Sequence, residues 1–124
     1  MKVTVLIVSV VSCVIGGAAT FAVIQWIGKG SSELAFVIGA IVGTQAGAII
    51  HYRQKGAKSS LAVKAKLGLA VGGANVVFGV VLHYAIAPFA YAEVTIPLAA
   101  VGGFVFPFVL FDTMWNALSK YKDA

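Results

Sequence analysis

The side chains able to do chemistry in this chain are few and widely spaced. One carboxylate, Asp112, lies inside an otherwise apolar stretch, and an acid there is a functional candidate because a charge is costly away from water. Counting ~24 Å inward from Ile96 at 1.5 Å per residue puts Asp112 near a membrane edge, where Lys64 or Lys66 can pair with it. The favoured reading is that structural ion pair. Gln45 and Asn75 fall in the middle of their own apolar stretches. A lone amide at that depth bonds across to another helix, or, for Asn75 with His83 on the same face, lines a polar path. His51 and His83 fall at opposite edges, too far apart to share a site. Cys13 is the single cysteine, read as a small buried apolar residue. No cysteine, histidine and carboxylate cluster has metal-ligand spacing, and no nucleophile, base and acid converge. The expectation is a non-enzymatic protein without metal or cofactor.

The elements that carry these residues are apolar helices. Sixty per cent of the 124 residues are hydrophobic and 10% are charged, against roughly 25% charged in a typical soluble domain. Such a chain cannot cover a water-facing surface, so the lipid bilayer is its expected solvent and first partner. The fold class expected is all-α: a polytopic integral membrane protein with four transmembrane helices in a single domain spanning 1–124. The spans run over about 3–27, 34–52, 67–89 and 96–118. Lys2 ahead of an apolar run also fits a signal peptide, but the run continues through Phe21, Ala22, Val23 and Ile24, which favours an uncleaved first span. Ser31 and Ser32 stand where they would cap the second helix. Thr95-Ile96-Pro97 reads as a cap followed by proline in the first turn of the fourth. The competing architecture has three spans and a re-entrant segment, because the second helix is short and the fourth carries Pro107 and Asp112.

Charge sets the expected orientation. Arg53, Lys55, Lys58, Lys64 and Lys66 gather in the segment 53–66, read as a basic cytoplasmic loop that holds the topology and touches anionic headgroups. Four spans then place Lys2, Lys120 and Lys122 on the same side, so both termini are expected in the cytoplasm. The net charge of +5 is a topology signal of this kind and does not point to nucleic acid.

Fourteen glycines in such helices mean close packing. Gly39, Gly43 and Gly47 recur at four-residue spacing, as two overlapping G-x-x-x-G units. Gly68, Gly72, Asn75, Gly79 and His83 share a face of the third helix. Ser9, Ser12, Gly16 and Thr20 form a seam on the first, and Ala99 and Gly103 on the fourth. These seams close a four-helix monomer, or the surplus ones join subunits, with Gly39, Gly43 and Gly47 as the assembly surface. The partner is then a second copy or another membrane protein.

The segment from Ala99 to Trp115 resembles the final span of some phage holins. It has paired glycines, Gly102 and Gly103, about ten residues before an acid, Asp112, and closing lysines, Lys120 and Lys122. The basic stretch from Arg53 to Lys66 is similar to the loop between glycine-rich spans in that family. The resemblance covers about a quarter of the chain. It implies a small protein of the bacterial inner membrane that oligomerises and permeabilises it. The leading expectation is therefore an oligomer that forms or supports a permeation pathway. The alternatives are an accessory subunit of a larger secretion, conjugation or respiratory complex, and a small solute or proton carrier in which Asn75, His83 or Asp112 faces an aqueous cavity.

Overall fold

The computed structural model describes residues 3–28, 33–54, 56, 58–86 and 91–123, and all regular structure among them is helical. The elements are α1 (Val3–Ile27), α2 (Leu34–Tyr52), α3 (Leu61–Val81), a π-helical turn (Leu82–Ile86) and α4 (Ala92–Asp123). Four helical segments, Val3–Ile27, Leu34–Tyr52, Leu61–Ile86 and Ala92–Lys120, are long and apolar enough to cross a membrane. The chain is a multi-pass, all-helical membrane protein.

The first two helices have the bounds their apolar runs predict, whereas the third and fourth start early. Ser60 is extended, and its hydroxyl accepts the Val63 amide at 3.2 Å, so α3 is capped at Leu61, six residues before the expected start at 67. Lys64 and Lys66 are therefore helical, in the first two turns of α3. The fourth helix opens at Ala92, where the Val94 and Thr95 amides both donate to the Tyr91 carbonyl at 3.0 and 2.8 Å. Thr95-Ile96-Pro97 lies within it. Pro97 removes only the bond that would have served the Glu93 carbonyl, a gap one turn from the helix end that the helix absorbs. Pro107 is fully buried in the interior of α4, which also runs on unbroken, so the three-span architecture does not hold. At 32 residues, α4 is about 48 Å long at 1.5 Å per residue, more than a hydrocarbon core of ~30 Å requires. Glu33, with no side-chain cap bond, precedes α2. Ser31 and Ser32 of the expected cap and the expected end of the third span at 87–89 lie outside the described residues, as do Lys2 and Lys55.

The helices form two antiparallel hairpins laid side by side. In the first, Gly17 faces Ala35 and Gly43 faces Ser9; in the second, Gly68 faces Phe104 and Gly79 faces Ile96. Parallel neighbours join the hairpins, α1 to α3 through Gly17 and Phe78, and α2 to α4 through His51 and Phe111. The interior is filled by Cys13, Ala40, Val71 and Ala74 at mid-depth and by Val5, Ala48, Leu67 and Phe111 toward the end that bears the basic segment.

Candidate functional site

At mid-depth the polar groups tie helices together. Asn75 is 3% exposed and is bonded from two directions: its amide nitrogen donates to the Ala99 carbonyl of α4 at 2.9 Å, and its oxygen accepts the Cys13 thiol of α1 at 3.5 Å. One side chain thus links α1, α3 and α4. The Ser9 hydroxyl of α1 donates to the Gly43 carbonyl of α2 at 2.8 Å, and both residues are buried. Thr20 bonds back to the Gly16 carbonyl at 2.8 Å, within its own helix. Cys13 is buried among apolar neighbours, as expected, and also serves as the donor to Asn75. Only the fold shows that role.

The close approaches that allow these bonds depend on glycine. A Cβ at Gly39 would lie 2.7 Å from the Cys13 carbonyl oxygen, and one at Gly43 would lie 2.8 Å from the Ser9 carbonyl oxygen. At Gly47 it would meet Leu67 of α3 at 2.7 Å. All three glycines are buried inside one subunit, so this face of α2 is already covered by α1 and α3 and is not an open surface for another copy. Gly68 and Gly72 are held as closely against Phe104 and Ala100 of α4, and Gly79 against Phe36 and Ile96. Gly103, opposite Gly72 and the Asn75 amide, completes the α3–α4 contact.

The acid lies where the helix-length argument put it. Lys64 pairs with Asp112 at 2.5 Å, and Ser59 donates to the other carboxylate oxygen at 2.6 Å. The Asp112 side chain is 46% exposed and that of Lys64 17%, so the pair sits at the rim of the bundle. Lys66, Arg53 and Lys58 are exposed at the same end. Beside them His51 is buried: its Nε2 donates to the Lys58 carbonyl at 3.1 Å, and its ring packs on Trp115 and Phe111. Among the described residues His51 Nδ1 and Thr44 Oγ1 are buried without a hydrogen-bond partner.

At the opposite end, His83 lies in the π-helical turn with its ring 4.7 Å from that of Tyr84. His51 and His83 are at opposite ends of the bundle, and Asn75, His83 and Asp112 line no common path: one is bonded to two helices at mid-depth and the others flank opposite rims. On that side a cleft of about 200 Å³ opens between α2 and α4. Phe36, Val37, Leu98, Phe106, Gly102 and Gly103 line it together with the polar Glu33, Thr95 and the buried Asn75. Among the described residues no group of histidine, cysteine and carboxylate side chains is placed to hold a metal.

Gln45 differs from the other amide. It is partly exposed, on the side of α2 away from the buried glycines, and makes no hydrogen bond among the described residues.

Comparison with known protein families, characterised proteins and solved structures gives no match for this chain.

Proposed function

We propose that this protein is a non-enzymatic structural module of a membrane assembly, an accessory subunit that packs against other transmembrane helices. The observation that carries this reading is how the polar groups are spent. Inside the bundle, Ser9, Cys13 and Asn75 are used in helix-to-helix bonds, and Lys64, Ser59 and Asp112 close the rim. The space between them is filled with apolar side chains and glycine contacts. A carrier needs a wet cavity and a monomeric pore needs a polar lumen, and an interior packed in this way favours a rigid scaffold over either. The charge bias supports insertion in a bacterial cytoplasmic membrane with the basic segment and both termini inside.

A second reading, the holin-like permeabilising oligomer, has one observation in its favour. The cleft bearing Gly102 and Gly103 lies between α2 and α4 on the surface of the bundle, so a path formed there would run between copies. The two readings separate on induced expression in a bacterial host, with turbidity and a voltage-sensitive dye followed together. The scaffold reading expects inserted protein, unchanged growth and an intact potential. Abrupt depolarisation with growth arrest would displace it in favour of the permeabilising oligomer.

A further inference from the structure

The outward face of α2 carries a stripe of partly exposed residues, Ile38, Ile41, Gln45 and Ile49. At 3.6 residues per turn this stripe lies nearly opposite the buried line of Gly39, Gly43 and Gly47. Gln45 is at its centre. It is two residues past the middle of a 19-residue helix, so about 3 Å from mid-depth and about 10 Å from the nearer helix end at 1.5 Å per residue. Its side chain cannot reach a polar interface, and among the described residues it has no hydrogen-bond partner. A primary amide left unbonded in hydrocarbon is unfavourable by several kcal/mol in the hydrocarbon-transfer limit, and the lipid tails around it offer neither donor nor acceptor.

We infer that the outward face of α2 binds a second copy of this chain, with Gln45 of each subunit bonded to Gln45 of the other across a two-fold axis along the membrane normal. The choice of occupant follows from geometry and chemistry. The charge bias inserts every copy the same way up, so two copies can be related by an axis along the normal, and each residue then meets its twin at the same depth. An amide is among the side chains that satisfy themselves in this way, since each donates through nitrogen and accepts through oxygen. Ile38, Ile41 and Ile49 surround it with β-branched side chains that have little rotamer freedom to lose on packing. A polar residue flanked by isoleucines on a helix seam also fixes register, as it does in coiled coils. The dimer rests on the scaffold reading and names its first partner. It uses the face of α2 opposite to the glycine seam.

The test uses the full-length protein in bacterial membranes. Gln45→Cys, combined with Cys13→Ala, is treated with an oxidant and compared with outward-facing cysteines at Val11, Leu69 and Val101. A disulfide-linked dimer from Gln45→Cys well above the other three is expected. In detergent dilution followed by energy transfer between labelled copies, Gln45→Leu should weaken the dimer about three- to twenty-fold, the range set by intramembrane hydrogen bonds. Because that side chain faces lipid, Gln45→Leu should fold normally, which far-ultraviolet circular dichroism checks. If cross-links form through Leu69 or Val101 instead, or if Gln45→Leu leaves the dimer unchanged, the inference fails while the scaffold reading stands. A chain that stays monomeric at every dilution, and that copurifies with no other membrane protein, overturns both.

Discussion

Asn75 and Asp112 are polar residues in apolar surroundings, and the fold spends them differently. Asn75 is buried and bonded to two other helices, so its loss removes two contacts that lipid cannot replace. Asp112 is half exposed at the rim, where solvent screens its pair with Lys64. In mixed-micelle denaturant titrations Asn75→Ala should reduce stability by about 1–2 kcal/mol, and Asp112→Ala by less than about 1 kcal/mol. The reverse order would mean that the rim pair, not the mid-depth amide, holds the two hairpins together. Asp112 was legible in the sequence as an acid near a membrane edge with a lysine in reach. That Ser59 shares it was not, because Ser59 becomes a neighbour only once the chain ahead of α3 folds against α4.

At the scale of elements, the glycine spacing of α2 was visible in the sequence, but what fills it was not. Four-residue spacing guarantees a bare stripe on a helix and says nothing of which helix lies on it. The partners are α1 and α3 of the same chain, at distances a methyl group would violate. Gly43→Leu should therefore lower the thermal stability of the isolated subunit by about 1–3 kcal/mol or more, as overpacking does. Gly73→Leu is the contrasting variant, since a Cβ there meets nothing within 4 Å and the residue is exposed, and it should be nearly neutral. If Gly43→Leu left the subunit's unfolding unchanged and only dispersed cross-linked oligomers, the seam would belong to assembly after all. The early start of α3 is likewise a matter of local chemistry. The Ser60 cap outweighs two lysines that otherwise read as loop, because lysines in the first two helical turns extend their stems along the surface toward water.

For the whole molecule, the described parts of the chain place the N-terminal side of α1, the C-terminal ends of α2 and α4, and the start of α3 at one end of the bundle, with the exposed cations Arg53, Lys58 and Lys66. Topology reporters fused after Arg53 and after the C-terminus should both register as cytoplasmic. A reporter after Arg53 that is active only outside the cytoplasm would invert the orientation and, with it, the leaflet that the α2–α4 cleft faces. By itself the sequence determined the solvent, the helical class, the number of spans and the charge asymmetry. These depend on composition and run length, which survive without knowing any contact. Only the tertiary structure decided that the glycine seams are consumed within one subunit, that Asn75 is bonded to two other helices and that Gln45 is left facing outward. A helix face carries no mark of its partner: whether an amide or a glycine points inward depends on how four helices rotate about their own axes, and that is settled by the packing of all of them at once.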